Sequence, residues 1–589
     1  MRIQVLSLLS LLTVISFAQN SIPWPGSDSL QVSFIKQDIT WDWRGVVFDS
    51  METVGGTGFY FSDKVNSNLL SPNKEAQKWR DENFFDGFFF YKSARTYHGL
   101  YARSWYLSER QPNTSTQYGN HAVGLKAIYQ LPADLAVIPY LGYQHSQNKK
   151  IIEWGWDLGV NALWKTLPLG SYQGDLQANA DYDFYERRQN SNTGIAININ
   201  ADFSPQARDS IALSYLNDNQ QYFTSSIENP VNVHIDHKNL FNQLRYELSK
   251  RSQLDLITIL WSRNILDELP GDINKRKVFR FENRLTWRRY FNQFLLAIGM
   301  HTSQETQDNL GIRTDSQALQ SGLFTDLVYF MDEKNRFNMQ FNLVKFQYDT
   351  PDSITNNDDR DEVRFIGLLR YSRQFSPLLQ AELEGYANLF HKIYIYKEQS
   401  ANNNWNRIYR LSARIQYRND RWHNILNTEV LANYTVYDFE EMFTVPRSFI
   451  FRRYFLSDSI QAPLLPKLDL GIYTQIELED RGTFFEKQFS QQLVESSKSF
   501  YYDLFLRVKN ILLFEVEIGI NLFQREGWKY IPVKIKDREI RRSSPYLRVV
   551  YPLGRKVKFY SSISKNFLSD KGREQREYTT GSINLIYSF

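Results

Sequence analysis

The sequence predicts an all-β fold: a single closed, antiparallel, up-and-down transmembrane β-barrel of about 24 strands, within a range of about 22–26. Three observations carry this. Apolar and polar residues alternate with period 2 over unbroken stretches of about 10 to 14 residues. Short turns recur about every 40 to 45 residues, room for two long strands and two connections. Finally, mean hydropathy is negative, −0.48, although aromatic residues make up 15% of the chain. An apolar face therefore exists throughout without any long apolar run.

Taken in order, Met1 to Ala18 read as a cleaved secretory leader. Arg2 supplies the positive start, Val5 to Phe17 is almost wholly apolar, and Ser16-Phe17-Ala18 puts small residues at the cleavage site. That stretch is too short to cross a hydrocarbon core of ~30 Å, which takes about 20 residues as a helix. Residues 19–95 are expected to be a periplasmic segment or partial plug. They open on Pro23-Trp24-Pro25-Gly26 and carry Trp41-Asp42-Trp43-Arg44 and Gly55-Gly56-Thr57-Gly58. The aromatic run Phe84 to Tyr91 is a candidate first strand, which would raise the count.

Residues 96–589 are expected to form the barrel. Ile195, Ile197, Ile199, Ala201 and Phe203 share one face against Asn198, Asn200 and Asp202. Leu176, Ala178, Ala180, Tyr182 and Phe184 alternate with Asp175, Gln177, Asn179, Asp181 and Asp183, and Phe337, Met339, Phe341 and Leu343 with Asn338, Gln340 and Asn342. Phe514, Val516, Ile518, Ile520 and Leu522 repeat the pattern against Glu515, Glu517 and Asn521. Tight turns at Leu131-Pro132-Ala133-Asp134, Leu167 to Gly170, Ser204-Pro205, Asp332 to Asn335, Ser376-Pro377 and Leu465-Pro466 take turns with longer polar connections. Those connections are expected at 224–236, 265–276, 349–360, 480–498 and 525–540. A propeller blade shares the period but breaks every 5 to 7 residues or so. A soluble sandwich does not explain so charged a second face. A barrel strand needs about 9 to 11 residues to cross, apolar toward lipid and polar toward the lumen.

The last strand places Thr579, Gly581, Ile583, Leu585, Tyr587 and Phe589 on one face, ending in Phe. It resembles the terminal strand of large Gram-negative outer-membrane β-barrels, and the resemblance covers the class rather than one family. It implies outer-membrane localisation, lipid around the wall, and recognition of Phe589 by the barrel-assembly machinery. Asp-Ser-apolar triplets starting at Asp28, Asp49, Asp209, Asp352 and Asp458 resemble an O-glycosylation sequon of Bacteroidota.

A closed wall of this size leaves a lumen, so inward residues bear on function. On one strand Arg280, Glu282, Arg284 and Arg288 face in while Phe279, Phe281, Leu285 and Trp287 face out. Arg370, Glu382, Glu384, Arg410 and Arg414 lie on three consecutive strands, with the acids expected between two basic ladders. Asp181, Asp183, Glu515 and Glu517 complete the candidate lumen lining. Cross-strand pairing stabilises such a wall by about 0.2–1 kcal/mol per pair, whereas an Arg on the lipid face at mid-depth is unfavourable by about 2–4 kcal/mol. The first expectation is a channel, transport or export conduit for polar solutes or macromolecules. The alternative is a plugged barrel serving as a surface-binding or secretion scaffold, with a periplasmic or surface lipoprotein as partner.

Composition excludes other classes. There is no Cys, hence no disulfide, thiolate metal site or Cys nucleophile. Lys+Arg (69) nearly balance Asp+Glu (65), so nucleic acid is not an expected partner. His234 and His237 flank Asp236 in a stretch expected to be an outer loop, but a metal site usually needs three or four ligands, so no metal is expected. No nucleophile elbow, phosphate loop or dinucleotide fingerprint appears, so no catalytic residue, enzyme activity or cofactor is expected. A barrel-embedded hydrolase would instead place a Ser or Asp within hydrogen-bond reach of one of His121, His145, His301, His391 or His423 near the outer rim.

Overall fold

In the computed structural model, described residues run from 28 to 587, excepting 36–37, 49–55, 72–77, 112–113, 149–150, 171, 224–229, 270–271, 311–314, 352–357, 512–513, 531–532, 554–556 and 573–574. The leader and Phe589 fall outside them. The chain is all-β, with each strand antiparallel to the next in an up-and-down order.

The first quarter comprises β1 (Asp28–Ile35), β2 (Asp38–Phe48), β3 (Thr57–Ser71), β4 (Lys78–Ser93), β5 (Thr96–Gln111), β6 (Thr114–Leu131) and β7 (Leu135–Asn148). Then follow β8 (Ile151–Leu169), β9 (Tyr172–Tyr185), β10 (Gln189–Ser204), β11 (Ala207–Tyr222), β12 (Val231–Ser249), β13 (Ser252–Leu269) and β14 (Asp272–Tyr290). The third group is β15 (Phe294–Leu310), β16 (Ser316–Phe330), β17 (Asn335–Asp349), β18 (Arg360–Ser376), β19 (Leu379–Tyr394), β20 (Asn404–Arg418) and β21 (His423–Tyr437). The last is β22 (Phe449–Leu465), β23 (Leu468–Phe485), β24 (Ser490–Ile511), β25 (Phe514–Tyr530), β26 (Lys534–Leu553), β27 (Val557–Asp570) and β28 (Arg576–Tyr587). The terminal strands also pair, with Asp28 opposite Tyr587 and Ile35 opposite Thr580, so β1 contacts both β2 and β28.

Among the described residues the strand count is 28 rather than about 24. From Thr96 onward there are 24 strands, the 28 less β1 to β4, so the excess comes from the segment expected to be a tail or plug. The described residues of 28–93 are wall: β2 pairs with β3 and β3 with β4, while the aromatic run 84–91 is in the fourth strand rather than the first. Pro and Gly punctuation masked these strands, because turn residues dominate a short segment whose polar β3 lacks an apolar period.

Strands also run further than polarity suggested. The stretches 265–276, 480–498 and 525–540 are mostly ladder, with connections only at 270–271, 486–489 and 531–533. Beyond a bilayer both faces of a strand are wet, so polar residues need not end the hydrogen-bonded pairing. His234 to His237 accordingly sit in β12, not in a loop. The tight turns hold as expected: Ala133 and Asp134 take φ of 61° and 56°, and Gly170 takes 67°, the left-handed conformation that such turns require.

Outward side chains are large, apolar and exposed, for example Leu125, Trp154, Ile195, Leu323, Leu343 and Ile518. Where Asp209 and Asn242 fall on this face they hydrogen-bond to each other at 2.6 Å. The other face is mostly polar, and on it Phe88, Phe90, Tyr101, Ala122, Ile128 and Ile138 form a buried apolar cluster across β4 to β7. Cation and ring meet there, Lys126 Nζ lying 5.2 Å from the Phe88 centroid.

Candidate functional site

The inner wall is built by strand alternation and register together. Alternation places Arg370, Glu384 and Arg410 on one face; register sets them side by side. Arg370 stands opposite Glu384 and its Nη2 donates to Oε2 at 2.5 Å, while Arg410 Nη2 donates to Oε1 at 2.6 Å. Glu382 lies 3.5 Å from Arg370 Nε and faces Arg414 across the ladder. The acid is sunk (Glu384 is 8% exposed) and the guanidiniums stand above it.

The same unit recurs elsewhere. Asp255 is held between Arg245, at 3.1 Å, and Arg288 on the flanking strands. Glu517 accepts from Arg507 and from Arg548, both at 2.7 Å, and Glu515 lies 3.3 Å from Arg507. Arg453 reaches Glu429 at 2.5 Å, and Arg525 reaches Glu479 at 2.7 Å. Arg280 pairs with Glu282 on its own strand at 2.9 Å, while Arg284 stacks on Phe324 with 4.4 Å from its Cζ to the ring centroid. Asp255 with its two Arg, and Glu382 and Glu384 with Arg370, Arg410 and Arg414, each leave one positive charge uncompensated on this face, whereas Glu515 and Glu517 balance Arg507 and Arg548.

The β5 to β10 sector is different, because phenols cover its carboxylates. Tyr101 Oη donates to Asp157 at 2.8 Å, beside Arg103 at 2.7 Å. Tyr140 Oη donates to Asp181 at 2.6 Å, and Gln144 Nε2 donates to Asp183 at 2.8 Å while accepting from Tyr185. Arg188 joins Glu153 at 2.7 Å to Ser146 at 2.6 Å. Buried polar groups paired in this way rigidify the wall.

All twelve residues named from the sequence lie on the polar face, opposite the exposed apolar side chains, grouped in separate sectors rather than one locus. Asp157, Glu153, Asp255, Arg453, Arg507 and Arg548 were missed. Finding them needs register, obtained by counting back from each tight turn, because their partners lie on other strands, adjacent for Asp255, Arg453, Arg507 and Arg548 and three strands back for Asp157.

The histidines divide. His234 and Asp236 share one face of β12 and His237 takes the other, so the three cannot converge. Among the described residues no group of three metal-type ligands gathers. Ser104 Oγ lies 2.7 Å from His121 Nδ1 on the outward face, where His121 stacks on Tyr106 and His145. His391 Nε2 lies 2.9 Å from Asp438, its ring 4.1 Å from that of Trp405. Each pair holds two of the three groups of a nucleophile–base–carboxylate arrangement. Aromatic rings flank both histidines.

Two carboxylates outside the wall are shifted. Asp332, in the tight turn after β16, accepts from the Asn335 side chain and the Lys334 amide, which hold it below the usual carboxylate range. Glu441, in the connection after β21, is held low by Lys487.

No family model and no curated protein matches this chain. Among solved structures it is similar to the FrpB iron transporter from Neisseria meningitidis (F5-1 variant), at 9% identity and TM-score 0.41, covering 74% of this chain and 80% of that one. It is similar also to the copper transporter OprC, at 10% identity and TM-score 0.39, covering 85% of each. The alcaligin outer-membrane receptor FauA from Bordetella pertussis gives 9% identity and TM-score 0.39, covering 80% and 81%. Scores of this size do not assign a class; the strand pattern has to.

Proposed function

We propose that this chain is a closed outer-membrane β-barrel that serves as a conduit for polar solutes or macromolecules through a charge-lined lumen. Sunk carboxylates flanked by raised guanidiniums on one face, with an apolar belt on the other, carry the reading. A soluble sheet would bury the apolar face, whereas here Leu125 and Leu323 are 63% and 60% exposed. In hydrocarbon every backbone group must be paired internally, and the β1–β28 ladder joins the two ends of the sheet accordingly. Export through the leader at 1–18 and assembly through Phe589 belong to the same proposal.

Size favours large cargo. Strands ~4.8 Å apart and tilted by about 40° give a 28-strand ring a circumference of roughly 175 Å and a diameter near ~55 Å. Smaller barrels of about 16–18 strands already leave an aqueous channel. A second reading, a scaffold stopped by another protein, gains from one observation: β1 to β4 are wall strands, so among the described residues no plug comes from this chain. Purified protein in planar bilayers should conduct, with an anion preference that reverses when Arg370 and Arg410 are both changed to Glu. A folded, inserted protein that neither conducts nor cross-links to a partner in cells would contradict both readings.

A further inference from the structure

On the outward face, across β10 to β14, Ile195, Leu213, Tyr215, Leu240, Leu260 and Phe279 line an apolar groove of about 400 Å³. A second depression of about 260 Å³ adjoins it over β8 and β9, where Val160, Ala162, Ala178 and Ala180 leave the wall thin. Ile195 and Tyr215 line both, so the two form one continuous channel along the wall. Small side chains below and large ones beside them give the cross-section of an acyl chain rather than a flat lipid annulus.

The edge of the groove is ordered by register: Tyr215, Lys238, Ser262 and Phe279, all of which line it, lie side by side on four strands, and polar rows follow. Lys238 projects over the Tyr215 ring at 5.6 Å and lies 3.2 Å from Asp236. The next row toward the strand ends is Asn217, Asp236, Asn264 and Lys277, and the row beyond includes Asn219, His234 and Lys275. Lys238, Lys275 and Lys277 are all exposed. Counting from the tight turns that close β12 and β14, these rows begin roughly 25 Å up the wall, at ~2.5 Å of height per tilted residue, which is the outer border of the apolar band.

We infer that this groove binds a phosphorylated glycolipid of the outer leaflet, a lipid A-type molecule, with an acyl chain along the groove and its head on the ledge. The inference rests on the outer-membrane reading above. Two features select this occupant. Lys238, Lys275 and Lys277 offer charge to phosphate, Lys238 beside Asp236 and Lys277 facing Asp308, and Asn217, Asn264, Ser262 and Asp236 offer the mixed donors and acceptors that sugar hydroxyls need and a bare phosphodiester does not. The ledge also lies at the end bearing the longest connections, the outer side of such barrels.

The test uses the full chain in phosphatidylethanolamine nanodiscs, with or without added bisphosphorylated lipid A, and counts bound lipids by native mass spectrometry. Wild type should retain lipid A. Lys238→Glu, at the ledge, should lower retention about fivefold to tenfold, the size of one lysine–phosphate attraction at a membrane surface, and Ala178→Leu, which fills the groove, should lower it as well. Lys345→Glu, an outward lysine on β17, should leave it unchanged. Equal retention in all variants, or wild type that holds phosphatidylethanolamine in place of lipid A, would overturn the proposal. Entry into nanodiscs is scored separately, so failure to insert would indict the barrel reading instead.

Discussion

Removing Glu384 tests the wall most sharply. Glu384→Ala deletes two charge-assisted hydrogen bonds, to Arg370 at 2.5 Å and Arg410 at 2.6 Å, and leaves two guanidiniums facing each other. Each such bond contributes about 1.5–3 kcal/mol when fully buried. Here the Arg side chains are 39% and 34% exposed, so lumen water recovers part of the loss. A destabilisation of about 2–4 kcal/mol follows, below the sum of two buried bonds. Arg370→Ala leaves Glu384 paired with Arg410 and should be unfavourable by only about 1 kcal/mol. Urea unfolding in detergent micelles, followed by tryptophan fluorescence, reads both variants through the midpoint at unchanged slope. In the double variant the coupling should be at least about 1 kcal/mol, since the two residues share one bond network. A Glu384→Ala effect under about 0.5 kcal/mol, or strict additivity, would refute the triad.

Face assignment predicts a second contrast: Leu323→Arg, on the outward face, should destabilise by about 2–4 kcal/mol and Gln340→Arg, on the inward face, by less than about 1, again read by urea midpoint. Closure predicts that cysteines placed at Val32 and Ile583, opposite each other in the β1–β28 ladder, cross-link on oxidation and alter the mobility of the denatured chain. An unshifted band would leave the sheet open. For the turn at Asp332, a carboxyl held below its usual range contributes stability that is present above the unfolded-state pKa and lost as pH falls through the lower folded value. The midpoint gap between wild type and Asp332→Ala should therefore be steady near neutrality and close below about pH 4.

The wall from β5 onward was legible because each of its strands carries its own evidence, alternation over enough residues to cross a membrane. The first four strands were not, since Gly and Pro near 23–26 and 55–58 resemble the punctuation of an irregular segment. Polar stretches such as 265–276 were misjudged for a physical reason: polarity reports the solvent around a strand, not whether the ladder continues. For the site, alternation puts Arg280, Glu384 and Glu517 on the polar face, opposite the exposed apolar side chains. It could not pair Asp255 with Arg245 and Arg288, because a one-residue slip in register changes each partner. Nor could it anticipate that phenols of Tyr101 and Tyr140 would claim Asp157 and Asp181.

Everything turns on what solvates the outward face. The chain has no native Cys, so single cysteines along 319–327 of β16 can each carry a nitroxide without interference. In lipid vesicles, collision with oxygen should peak at 319, 321, 323, 325 and 327, and collision with a water-soluble nickel chelate at 320, 322, 324 and 326. Equal access of the chelate to both sets, or no period of two, would contradict the account.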